Sequence, residues 1–453
     1  MDFITQFENT LEHTISLKRL SEAKQLLAAY PSTGQPYSVR LFSMINDLRR
    51  IEYPFVFPLQ KHAYRLVLFR TGNFILDYIL EQFSAFFEYI GCELLLFDPT
   101  DYSASSKALF SFAQGGIDAA FFFNNVGLLQ TFSDGSNLWE TLHIPCYDFL
   151  VDHPMYYADS LDNAPADTTL LCADKTHTNY ALRFYPRLKH AIFMPTGGCN
   201  PLANANSGTS RNAENPKIPW QERPMDVLFI GSFKYHPHYE KYPLEKHITK
   251  HLQIHTQHTF EQAVELYATE PSSNDHISDS ELKLIIEQHR FLETNVTALY
   301  RKAIIKDILD AGITIHVYGE GWTQTGLTDY ENFILHAPVS FEEGIKLMSQ
   351  AKILLNHMAW FKHGSSERIF NAMAQGAVCV TDSSKYLDTI LKHQENCCIY
   401  SLNNLETNPV SQKIISLLSD PETAAKIAEK GKKTASQHTW QNHLHFVTKQ
   451  MPI

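Results

Sequence analysis

One stretch constrains the fold of this chain more than any other. Residues 65–69 read "RLVLF", an apolar run suited to a buried strand. The turn Arg70-Thr71-Gly72-Asn73 follows, then a segment with helical apolar spacing, then a second buried run, "ELLLFD". Strand, turn, helix and strand in that order make a βαβ unit, which requires a parallel sheet with helices over its faces. The pattern continues in "IDAAFFFNN", "CYDFLVDHP", "TTLLCAD" and "HAIFMPTGG". Six strand-like runs separated by helical stretches predict one doubly wound α/β domain over residues 61–200.

Residues 201–224 are rich in Asn, Ser and Pro, which reads as an interdomain linker. A second alternation follows over 225–435. "MDVLFIGS", "TIHVYGEGW", "AKILLNHM" and "GAVCVTD" supply four strands, and 238–310 reads as a long helical insertion. Residues 1–60 read as an N-terminal helical extension broken at "YPSTGQPYS", and 436–453 as a terminal helix. The fold class is therefore α/β, with two Rossmann-like parallel-sheet domains expected to face each other across a cleft.

Composition narrows the function. The 453 residues are 44% apolar and 19% charged, as in a chain that buries large cores. The net charge of −11 argues against a nucleic-acid partner, which calls for a basic face. No run of 18 apolar residues occurs, so no membrane span is expected. The acidic, mixed start lacks the pattern of a signal peptide; a cytoplasmic site of action is expected, with secretion by another route left open. Seven scattered cysteines without a CxxC indicate neither a disulfide framework nor a zinc site. His247, His251 and His255 share one helical face, but no acid or cysteine completes a ligand set, so a solvated face is expected.

The candidate site begins at "HGSSERIFNAMAQGAVCVTD", residues 363–382. Gly364-Ser365-Ser366 is a turn, and either serine is a suitable N-cap. The helix that follows places Ile369, Phe370 and Met373 inward and Glu367, Asn371 and Gln375 on a wet outer face, and Gly376 stops it. Two readings stay open on this pattern: a capped core helix, or N–H groups at 365–368 that receive a phosphate. In the second, Asn371 reaches a ribose hydroxyl. Gly231, Ser232 and Lys234, after the strand "DVLFI", offer another phosphate contact, and Arg368 is a candidate cation for a leaving diphosphate. Gly319, in "YGEGW", lets backbone approach a ligand or simply forms a tight turn over Trp322.

"ERIFNAMAQGAVCVTD" resembles the donor-binding signature of GT-B glycosyltransferases of the group-1 family, and is most similar to the branch of the spore maturation protein CgeB. "YRKAIIKDILDAGITIHVYGEGW" and "HAPVSFEEGIKLMSQAKILLN" lie upstream of it in the order and spacing of that family. The resemblance implies a hexosyltransferase-type enzyme that moves a sugar from a UDP- or other nucleotide-sugar donor to a hydroxyl of a protein or glycan acceptor, with retention of configuration. It implies no cofactor and no essential metal. It puts donor contacts at Gly72, Gly231, Ser232, Lys234, Gly319, Pro338, Val339, Ser365, Ser366, Glu367, Arg368 and Asn371. It places Asp152 and His153 as the catalytic pair, against the alternative of an Asx turn before Pro154. His363 and Asn371 stand where relatives often carry two glutamates. A non-catalytic nucleotide-sugar-binding protein and a sugar-nucleotide epimerase are the alternatives.

Overall fold

The computed structural model describes residues 2–55, 63–199, 218–237, 242–268, 277–358 and 360–450. Its contacts divide the chain into two units. The first holds Met1–Cys172, Tyr185–Ile192 and His445–Ile453, and the second holds Ala173–Phe184 and Phe193–Leu444. Among the described residues no helix is long and apolar enough to cross a membrane.

The first unit is built on six strands: β1 (Arg65–Phe69), β2 (Glu93–Phe97), β3 (Ala119–Phe123), β4 (Cys146–Leu150), β5 (Thr168–Cys172) and β6 (His190–Phe193). They lie in the order β2-β1-β3-β4-β5-β6. The pairings β1–β2, β1–β3, β3–β4 and β4–β5 are all parallel. Every residue of β3 and β5 is buried, as central strands covered on both faces must be. The chain reverses direction across the sheet between β1 and β3, the switch point at which such sheets leave a crevice.

Helices Phe3–Ser16, Leu20–Ala29 and Val39–Glu52 form the N-terminal extension. They share a small core of Leu11, Ala23, Tyr30, Leu41, Met44, Ile45 and Leu48. Arg49 ties the extension to the sheet with a forked pair of bonds to Asp118, at 2.8 and 2.6 Å. Asn46 adds two bonds, donating to Leu142 O and accepting from Ile117 N, each at 2.8 Å.

The second unit also has six strands: β7 (Met225–Ile230), β8 (Ile315–Tyr318), β9 (Phe333–His336), β10 (Ala351–Leu355), β11 (Val378–Thr381) and β12 (Cys398–Ile399). Their order is β12-β11-β10-β7-β8-β9, and the pairings are parallel. This is the order of a dinucleotide-binding sheet, with its switch point between β7 and β10. The two Rossmann-like parallel-sheet units expected from the strand pattern are thus present. Two strands of this sheet escape the sequence pattern. β9 is a four-residue edge strand with one buried residue, and β12 has two residues, so neither carries a long apolar run.

Between β7 and β8 lie helices Pro243–Ile254, Phe260–Ala268, Asp279–His289 and Phe291–Asp310, the expected insertion. Most of the expected linker, 201–217, lies outside the described residues. Its described end is part of the second unit: Trp220 is buried and donates to Lys352 O at 2.7 Å. Arg223 donates to Ala351 O and Gln375 O, each at 2.8 Å, satisfying carbonyls at the ends of two helices. The terminal helix starts at Trp440.

Candidate functional site

In the second unit the site forms at the carboxyl ends of β7, β10 and β11. The turn before the helix Glu367–Ala374 is tied from three sides. His363 N donates to Asp174 Oδ2 at 2.7 Å. Ser384 donates to Gly364 O at 2.6 Å. Thr196 donates to Ser365 O at 2.8 Å, and the Ser365 hydroxyl donates back to Thr196 O at 3.1 Å. Ser365 is fully buried, so its hydroxyl is a structural tie. Ser366 is the N-cap, yet its side chain makes no capping bond. Its hydroxyl accepts from Arg368 Nε at 3.3 Å. The start of this helix therefore keeps its dipole uncapped by any side chain.

Two guanidinium groups converge on the end of β7. Arg368 Nη1 donates to Ile230 O at 2.9 Å, in place of the surface ion pair with Glu367 that the sequence allows. Arg301, on the helix Phe291–Asp310, donates through Nη1 to Ser232 O at 2.7 Å and stands over the Phe229 ring at 5.7 Å. Its side chain is half-buried, but Nε is enclosed and has no hydrogen-bond partner. Burial, and then the like charge of Arg368, push the Arg301 guanidinium down to about 9. Two cations held this close store repulsion that an anion would relieve.

His357, just past β10, is buried with them, and its Nε2 is enclosed without a partner. Burial, then Arg301, Lys362 and Arg368, hold its imidazole far below the usual histidine range, so it is neutral. Asp382 stands 3.6 Å from His357 Nδ1 and accepts from Met358 N at 2.9 Å. Sequence reasoning missed Arg301, His357 and Asp382. Arg301 shares its helix with Lys302 and Lys306, and helical periodicity does not single it out.

The loop after β7 is shaped by its neighbours. Gly231 O accepts from Trp322 Nε1 at 2.9 Å, and Ser232 Oγ accepts from Glu320 N at 3.1 Å. A Cβ on Gly319 would stand 2.3 Å from Gly231 O, so only glycine lets the two loops meet. Trp322 is fully buried, which realises the tight-turn reading of "YGEGW". Val339 packs against the same apolar cluster as Ile230 and Tyr318, and the "HAPV" loop leaves the carboxyl end of β9. Pro338 and Lys234 are exposed.

Asn371 departs from expectation. It is 1% exposed rather than on a wet face, and its Oδ1 accepts from Cys199 N at 2.8 Å. The cause is the segment 195–199, which runs against this helix. A Cβ on Gly198 would meet Phe370 Cβ at 2.9 Å, and Gly198 pairs with Thr439 on its other side. Asn371 Nδ2 is enclosed with no partner. Asn371→Ala is accordingly expected to destabilise the second unit by about 1–3 kcal/mol in urea unfolding, the cost of losing a buried acceptor.

In the first unit, the N–H groups of Thr71 and Gly72 donate to the two oxygens of Asp77, at 2.7 and 3.2 Å. Asn73 caps the helix Phe74–Tyr89 by accepting from Ile75 N and Leu76 N. The Gly72 N–H is thus already engaged by a carboxylate of its own helix. Asp152, past β4, is exposed and makes no Asx turn. Its Oδ2 accepts from Tyr157 OH at 2.9 Å and from Asn124 Nδ2 at 3.1 Å. His153 is buried, and its Nδ1 accepts from Met155 N at 3.1 Å, capping the turn Pro154–Tyr157. The imidazole, not the carboxylate, starts this turn.

The expected solvated histidine face is realised in part. His247 and His255 are exposed, whereas His251 is buried with its Nε2 2.8 Å from His258 Nδ1. Among the described residues no group of three or more His, Cys, Asp or Glu side chains is arranged to hold a metal ion.

Several solved structures resemble the chain at low identity. An α-glucosyltransferase bound to UDP-glucose and DNA containing an abasic site is 12% identical, with a TM-score of 0.49 over 83% of this chain and 96% of that one. A sucrose-phosphate synthase from Thermosynechococcus elongatus is 11% identical, with a TM-score of 0.45 over 86% and 97%. Anabaena HepE bound to UDP and glucose is 12% identical, with a TM-score of 0.42 over 86% and 98%. No curated protein matches the chain. The stretch 300–448, which carries Arg301, His357, the 363–371 turn and Asp382, matches the family model described as glycosyl transferase-like.

Proposed function

We propose that the protein is a glycosyltransferase that takes a sugar from a nucleoside-diphosphate donor and attaches it to a hydroxyl-bearing acceptor, a protein or a glycan. One observation carries the reading. Arg301 and Arg368 meet at the end of β7, beside the uncapped start of the helix Glu367–Ala374 and the orphaned Nε2 of His357. A diphosphate would be held by the two partly exposed guanidinium groups and the helix start together. The match of 300–448 to a glycosyl transferase-like model supports the same reading.

In the transfer, the acceptor oxygen bonds to the anomeric carbon of the sugar. The bond from that carbon to the diphosphate oxygen breaks, and its electron pair leaves on the diphosphate. The two guanidinium groups stabilise that growing charge, the role a metal ion fills in other enzymes. The acceptor hydroxyl loses its proton to Asp152. His153, next to it in the chain, is buried and caps the turn that follows Asp152. The group-1 resemblance favours retention of configuration, which requires the acceptor oxygen to approach on the same face of the anomeric carbon that the diphosphate leaves.

The test is incubation with UDP-, GDP-, CDP- and dTDP-sugars and a panel of hydroxyl acceptors, following nucleotide release and product mass. Saturable binding with no turnover of any donor overturns the reading in favour of a binding protein. Asp152→Asn should lower turnover about 10²-fold or more with donor affinity unchanged. Unchanged turnover removes Asp152 from the chemistry.

A further inference from the structure

β4 carries a carboxylic acid where a hydrophobic residue would be expected. Asp148 lies mid-strand between Phe122 of β3 and Leu170 of β5 and is fully buried. Its Oδ1 accepts from Asn125 N at 3.1 Å, and its Oδ2 is enclosed with no partner. Burial pushes the carboxyl up to about 7. The Asp152 chemistry proposed above does not call on it.

What the acid holds is a turn of unusual backbone. Asn124 and Asn125 follow β3 with φ of 49° and 64°. Two successive left-handed residues without a glycine are sparsely allowed and need outside support. The support comes from Phe149 O, which accepts from Asn124 N at 3.0 Å, and from Asp148, which accepts from Asn125 N. The turn in its conformation then aims the Asn124 side chain across to the end of β4. Asn124 Oδ1 accepts from Val151 N at 3.0 Å, and Asn124 Nδ2 donates to Asp152 Oδ2 at 3.1 Å. Tyr157 donates to the same oxygen. With both donors on Oδ2, Oδ1 is the oxygen left to meet an acceptor hydroxyl.

We infer that Asn124 and Asp148 are positioning residues for Asp152: the buried acid sets the left-handed turn, and the turn's first side chain fixes the loop 151–153 and orients its carboxylate. The inference rests on the proposed transfer reaction for its catalytic meaning. Burial first, and then nearby carboxylates (Asp167 before Asp148 for Cys146, Asp152 before Asp148 for Tyr157), push the Cys146 thiol and the Tyr157 hydroxyl above their ordinary values.

The test compares Asn124→Ala, Asp148→Ala and Asp148→Asn in the full chain. Three quantities are read: turnover at saturating donor, UDP affinity by calorimetry, and hydrogen exchange at the Val151 amide. Asn124→Ala and Asp148→Ala are expected to lower turnover at least tenfold, leave UDP affinity within twofold, and speed Val151 exchange at least tenfold. Asp148→Asn keeps the acceptor oxygen and the shape, so it should restore turnover to within threefold of wild type. If Asp148→Ala does not fold, Asn124→Ala, at a half-buried position, carries the test. Turnover of Asn124→Ala within twofold of wild type overturns the positioning role, and so does unchanged exchange at Val151. If the wild type transfers no sugar, the transferase reading has failed, and exchange at Val151 still decides whether the relay exists.

Discussion

Replacing Arg301 and Arg368 together by alanine is expected to lower turnover about 10²–10³-fold, the usual scale for removing preorganised charge from a developing anion. UDP affinity should fall at least about tenfold, since hydrogen bonds to charged groups contribute roughly 1.5–3 kcal/mol each. Calorimetry with UDP and a thermal-shift series check both, because a bound nucleotide raises the melting temperature by mass action. Arg301→Ala alone has a further signature. It removes a hydrogen bond to Ser232 O but also relieves repulsion against Arg368. The ligand-free protein should therefore change by about 1 kcal/mol or less while affinity drops. Arg368→Lys keeps the charge and loses the fork, so it should fall between wild type and alanine. Affinity for UDP in the double variant equal to that of wild type would sink the placement of the diphosphate.

Trp322→Ala is expected to destabilise the second unit by about 3–5 kcal/mol, the range for emptying a buried aromatic site. The ring is fully enclosed and packs edge-on to Phe229 with centroids 5.8 Å apart. Phe233 and Phe333 complete its surroundings at 5.4 and 6.1 Å. The indole N–H also holds Gly231 O, at the start of the loop beside Arg301 and Arg368. Trp322→Phe separates the two effects. It should recover much of the packing and still weaken UDP binding, because the bond to Gly231 O is gone. Urea unfolding followed by probes in each unit is the appropriate measurement, since a chain of two units need not unfold in one step. Trp322→Phe with wild-type affinity would show that the loop holds its shape without the indole.

The long apolar runs made the sheets legible. "RLVLF", "AAFFF" and "MDVLFI" are each buried on both faces, and a run of that kind has few other uses in a globular chain. β9 and β12 lie at sheet edges, where half-exposed residues break the pattern. The turn at 363–366 was legible as a helix start with a possible anion site. Its local sequence does not reveal that Ser365 and Asn371 face inward, because the partners that draw them in, Thr196 and Cys199, come from a segment far away in the chain. Arg301 and Asp148 were illegible for the same reason. One is an ordinary basic residue on a helix, the other an acid in an apolar strand, and their meaning comes from what the fold sets beside them.

The bond from Arg301 to Ser232 O spans 69 residues of chain. Everything between, the helical insertion included, is closed into a loop by that contact and its neighbours. Closure entropy grows only with the logarithm of loop length, so the insertion can be lengthened or shortened at small thermodynamic cost. The kinetic consequence is different. The last helix of the insertion must arrive before the loop after β7 has its second cation. Competence to bind UDP should therefore appear late in refolding, after the strands of this unit have paired, and the ligand becomes a stopwatch for the insertion.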